Sequence, residues 1–136
     1  MTEITFPTVG GEASGYLAEP ESGAGCGVIV LQEWWGLDDH VRSVCDRLSK
    51  AGFFALAPDL YHGETTAQPD EAEQRMMALS MDQAEKEMSG AVEHLAALDG
   101  VNSKHVGAVG FCLGGGLSLW AAATNARVGA AVVYYY

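Results

Sequence analysis

The chain has 136 residues, 49% of them hydrophobic, and sets 7 Lys and Arg against 18 Asp and Glu for a formal net charge of −11. That length suffices for one domain with a sizeable core, and the negative balance opposes binding to nucleic acid or to an anionic membrane. Cys26, Cys45 and Cys112 form no metal or disulfide pattern, the amino terminus lacks a signal-peptide pattern, and no apolar run is long enough to span a bilayer, so a cytoplasmic location is expected.

In chain order, residues 3–9 and 12–18 read as a hairpin turning at Gly10-Gly11, ended by Pro20 and glycines. Residues 27–32 are a continuous apolar strand of the kind buried on both faces. Asp38 or Asp39 caps a helix in which Val41, Val44, Cys45 and Leu48 recur at helical spacing until Gly52, which makes Cys45 a core residue. Residues 53–58 form the next strand, and Pro58 marks the exit into a loop with Asp59, Tyr61 and His62. A polar, acidic stretch covers 64–74. Residues 82–98 then place Met88, Ala91, Val92, Leu95 and Leu98 on one helix face, with methionine as core filler. Residues 106–111 and 128–136 are apolar strands separated by a helix that opens at Gly114-Gly115-Gly116. No repeat, low-complexity tract or linker divides the chain. Alternating strands and helices predict an α/β fold, a mostly parallel sheet with helices on both faces.

Gly110-Phe111-Cys112-Leu113-Gly114 lies where strand passes to helix. In such an elbow the central residue is strained, its neighbours two positions away must lack side chains, and a cysteine there meets a helix N-terminus that favours a thiolate. The loops after residues 31, 57 and 111 should share one rim of the sheet. On the first, Glu33 would hydrogen-bond the Cys112 thiol, and the amides of Trp34 and Leu113 would form an oxyanion hole. The two tryptophans, Trp34 and Trp35, read equally well as core aromatics or as the walls of an apolar pocket. No metal-ligand spacing and no dinucleotide-binding glycine loop occur, so neither metal nor cofactor is expected.

Gln32-Glu33-Trp34-Trp35-Gly36, Pro58-Asp59-Leu60-Tyr61 and Gly110-Phe111-Cys112-Leu113-Gly114-Gly115, in that order, resemble the dienelactone hydrolases. The resemblance implies an α/β-hydrolase three-layer sandwich and a carboxylic ester or lactone hydrolase acting on small molecules. It implies Cys112 as nucleophile, Trp34 and Leu113 as oxyanion-hole amides, and Glu33 as the carboxylate that holds the resting thiol. Arg75 is the one arginine in the segment where the family holds a substrate carboxylate, with a solvated helix position as its other reading. Trp35 and Tyr61 are further candidates for the substrate pocket.

The family completes a Cys-His-Asp triad from loops beyond the elbow, and after Cys112 this sequence contains neither Asp nor His. His40 and His62 fall near the rim but read better as pocket or loop residues than as a substitute base. A buried-type strand at residues 128–136 leaves a sheet edge open. The expectation is therefore a single, incomplete α/β-hydrolase domain over residues 1–136, lacking its carboxyl-terminal strands. Two functions compete: an esterase that loses most turnover in this form, and a non-catalytic relic or subunit that binds small molecules or self-associates, or takes a complementing chain, at the open edge.

Overall fold

The structure is a computed structural model that describes residues 2–135. In chain order it contains β1 (Thr2–Thr8), β2 (Gly11–Ala18), β3 (Gly27–Leu31), α1 (Asp39–Lys50), β4 (Phe54–Pro58), α2 (Pro69–Ala78), α3 (Met81–Ala97), β5 (Val106–Gly110), α4 (Leu113–Thr124) and β6 (Val128–Val133). The strands form one sheet ordered β1-β2-β4-β3-β5-β6. The hairpin joins antiparallel to β4, and β4, β3, β5 and β6 run parallel to one another. Crossover helices α1, α3 and α4 make that parallel order possible, since parallel neighbours cannot be joined by tight turns.

Side chains alternate along the central strands, and the alternation sorts the core into two layers. Ile29 and Leu31 of β3, with Leu56 of β4, pack against Met88, Val92 and Leu95 of α3 and Leu117 of α4. On the other face Val30, Ala55 and Ala57 meet Leu37, Val41 and Cys45 at and before α1. All five residues of β4 are buried, as expected for a parallel strand covered on both faces. Each fully buried leucine or isoleucine contributes about 1.5–3 kcal/mol. Cys45 and Met88 are therefore core residues, as their spacing predicts.

Local signals set the helix ends. The Asp38 side chain accepts from the Val41 amide at 3.1 Å, capping α1, and Gly52 follows the helix with φ +102°. Ser80 caps α3 in the same way by accepting from Gln83 N. α2 is the element that the sequence reading leaves out. It has one buried residue, Ala72, so it carries no apolar stripe for periodicity to detect. Its start was nonetheless written in the chain as Pro69 in the first turn, followed by Asp70 and Glu71. β6 ends at Val133, three residues short of the expected strand; Tyr134 and Tyr135 lie beyond it, and Tyr136 is outside the described residues. Because β3, β4, β5 and β6 are parallel, the segments that follow them all emerge on one rim.

Candidate active site

Cys112 sits between β5 and α4 with φ 57° and ψ −123°, a conformation that costs a residue with a side chain about 1–3 kcal/mol. Two glycines permit it. A Cβ on Gly110 would lie 2.1 Å from the Gly114 carbonyl oxygen, and one on Gly114 would lie 2.2 Å from that of Leu31 and 2.7 Å from that of Gln32. The elbow therefore rests directly on the end of β3, the strand that leads to Glu33. The cysteine is half-buried, and the Leu113 amide, first in α4, has no intrahelical carbonyl to bond.

Glu33 stands at the start of the loop after β3, where its carbonyl accepts from Gly36 N at 3.2 Å. Two groups lie near its carboxylate. His40 Nε2, in the first turn of α1, is 3.4 Å from Glu33 Oε2. The Tyr135 phenol lies near both Glu33 and Cys112; the Glu33 charge first, then desolvation and Cys112, raise it above its ordinary value. Phe111, next to Cys112, stacks its ring 4.5 Å from that of Tyr134 and meets His40 edge-on at 6.1 Å.

The second rim loop is latched to the first. Buried Gln32 accepts from the Leu60 amide at 2.9 Å through Oε1, a bond between the ends of β3 and β4. Asp59 shapes that loop by accepting from Tyr61 N at 3.2 Å and Gly63 N at 2.7 Å.

Two cavities open here, and they differ in chemistry. One, of about 570 Å³, abuts Cys112 and is walled by Trp34, Met76, Met81, Leu113, Leu117 and Trp120. The other, of about 240 Å³, mixes apolar walls such as Leu60 and Leu79 with Tyr61, His62, Arg75, Gln83 and Glu87. In it the Arg75 guanidinium pairs with Glu64, while buried Glu87 accepts from Gln83 Nε2 at 3.3 Å and has His62 Nε2 at 2.7 Å. The Tyr61 hydroxyl, Arg75 Nε and Glu87 Oε1 are buried there without a hydrogen-bond partner. Burial pushes the Tyr61 phenol up to about 12, with the Arg75 charge pulling the other way and Cys112 adding to the rise.

The sequence-predicted residues thus fall into three places. Cys112, Glu33, Trp34 and Leu113 gather at the elbow. Arg75 and Tyr61 meet in the smaller cavity. Trp35 packs edge-on against Trp34 at 5.3 Å, and its carbonyl accepts from Thr66 N at 3.1 Å; it lines neither cavity. Sequence reasoning missed Met76, Met81, Trp120 and Tyr135. Trp120 was detectable, since Leu113, Gly116, Leu117 and Trp120 share one helical face. Met76 was hidden with its helix. Among the described residues no group of three or more His, Cys, Asp or Glu side chains is placed to hold a metal ion, and no helix is long and apolar enough to cross a membrane.

A largely parallel sheet covered on both faces, with a glycine-flanked elbow at the end of a central strand, defines the α/β-hydrolase fold. Within that class the chain belongs to the dienelactone hydrolase family, whose sequence model matches residues 13–136. It is 37% identical over 123 residues to the protein usf of Aquifex pyrophilus, an overlap of 86% of this chain and 53% of that one. A protein of Aquifex aeolicus that bears carboxymethylenebutenolidase in its name is 36% identical over 126 residues, covering 88% of this chain and 54% of the relative. The crystal structure of a Klebsiella pneumoniae protein described as a dienelactone hydrolase superposes with a TM-score of 0.85 at 29% identity, over 97% of this chain and 57% of that one. The chain spans about half the length of the curated relatives it matches.

Proposed function

We propose that the chain carries the nucleophile half of a carboxylic ester or lactone hydrolase that works through an acyl-cysteine. The observation that supports this most is the strained elbow itself, which presents a half-buried cysteine at the mouth of a cavity and at a helix N-terminus. In the reaction the Cys112 sulfur attacks the ester carbonyl carbon, and the carbonyl oxygen becomes an oxyanion facing the Leu113 and Trp34 amides. The C–O bond to the leaving group breaks, and the leaving oxygen takes up a proton. Water then cleaves the thioester, releasing the carboxylic acid and restoring the thiol.

The family resemblance assigns the proton transfers to an Asp and a His beyond the elbow, and residues 113–136 contain neither. His40 and His62 are each engaged with a carboxylate, Glu33 and Glu87. The test therefore uses a substrate whose leaving group needs no protonation. With a p-nitrophenyl ester the chain should release up to one equivalent of p-nitrophenolate in a burst and gain one acyl group on the Cys112 peptide by mass spectrometry. Cys112→Ala should lose both. An undiminished burst in the alanine variant, or acylation of exposed Cys26 instead, would defeat the assignment.

A second reading rests on a different observation. Val132, Tyr134 and Tyr135 on and after β6, the edge strand opposite β1, are 50%, 61% and 56% exposed. On this reading the chain is a non-catalytic subunit that pairs through that edge. Light scattering across a hundredfold range of concentration, roughly 1–100 μM, separates the two: pairing predicts a mass that rises with concentration, whereas a constant monomer mass eliminates it.

A further inference from the structure

The cavity at Cys112 is built almost wholly from hydrocarbon, sulfur and indole, and among the described residues no Lys, Arg or His lines it. Its walls come from four separate segments: Trp34 after β3, Met76 on α2, Met81 on α3, and Leu113, Leu117 and Trp120 on α4. Met81 and Trp120 remain 43% and 40% exposed, although these large apolar side chains lie beside a reactive group. Arg75 lines the other cavity and is paired with Glu64. The chain as a whole carries a net charge of −11.

Those observations bear on what the site can accept. A carboxylate in such a cavity would lose its hydration with no counter-ion among the lining residues to replace it. An uncharged aryl or branched alkyl group would gain from burial against two indoles and two thioethers. Resting on the proposal that Cys112 is the nucleophile, we infer that the site selects uncharged esters with a bulky apolar acyl or alcohol group, held by Trp34, Met76, Met81 and Trp120, over substrates with a carboxylate. Trp120 and Met81 are then specificity-determining residues.

Phenylacetamide and phenylacetate have the same shape and differ in charge, and neither is cleaved, so their binding can be measured on the chain without turnover. Calorimetry or ligand-observed NMR should show phenylacetamide binding at least about tenfold more tightly than phenylacetate. Phenylacetamide should also protect Cys112 from alkylation by iodoacetamide. Trp120→Ala should weaken phenylacetamide about fivefold or more. Met81→Lys, at a half-exposed position where folding is not at stake, should reverse the preference by placing a cation on the wall. Equal or tighter binding of phenylacetate by the unmodified chain overturns the inference. Failure of both compounds to bind at millimolar concentration overturns it as well, and marks the groove as a packing surface. The acylation burst of the unmodified chain separates the two proposals: the expected selectivity beside no burst would leave the pocket assignment standing and remove the nucleophile, and an intact burst with inverted selectivity would do the opposite.

Discussion

His40 Nε2 stands 3.4 Å from the Glu33 carboxylate, and the Tyr135 phenol lies close enough to feel both Glu33 and Cys112. The Glu33 charge is the first cause of the raised Tyr135 phenol, so replacing Glu33 with Gln should move the phenolate absorbance of Tyr135 down in pH toward the ordinary tyrosine range; an unmoved transition would show that Glu33 does not act on it. Cys45 supplies the internal contrast. It is fully buried and its thiol is pushed up to about 12 by burial, with Asp46 adding to the rise, so peptide mapping of the native chain should find it unmodified while Cys26 and Cys112 react.

At the scale of elements, the turn between β5 and α4 depends on main-chain contact. Gly114→Ala would drive a methyl group into the carbonyls of Leu31 and Gln32, and should cost about 2–4 kcal/mol in urea unfolding, with alkylation of Cys112 altered as the elbow moves. A midpoint unchanged from the parent would show that α4 can shift without loss. This part of the site was readable in the sequence because the requirement is stereochemical: only glycine meets it, and glycine is visible as a letter. The central strands and α1, α3 and α4 were readable for a related reason, since burial on one or both faces writes a period into the chain. α2 was not, because a helix that buries Ala72 alone obeys no period. The walls of the apolar cavity were hidden differently. Met76, Met81 and Trp120 come from three helices, and their meeting depends on how those helices pack, which neither spacing nor composition encodes. Trp35 shows the converse. Its neighbour Trp34 has the place on the wall, and adjacent residues in a tight loop point apart.

For the molecule as a whole, the buried titratable groups set a limit on alkaline stability. Cys45 is raised to about 12 from 9.0, and Tyr16 and Tyr61 to about 12 from 10.0, burial being the first cause for each. The unfolded chain therefore releases these protons before the folded one does. Their contribution is fully present below pH 9 and is lost as pH rises from 9 through 12. The denaturant midpoint should fall across that interval. Cys45→Ala should begin lower, because it leaves a small cavity, and fall less steeply; parallel curves would show that self-repulsion of the acidic chain, and not the buried thiol, governs the decline. The seating of Gly114 on the carbonyls of Leu31 and Gln32 has one more implication. It seats the elbow on the end of β3 by backbone against backbone, so no interchangeable side chain takes part in it. The cavity walls, by contrast, consist largely of interchangeable side chains. A lineage built on this frame is free to exchange its walls residue by residue while the turn that carries Cys112 passes on unaltered.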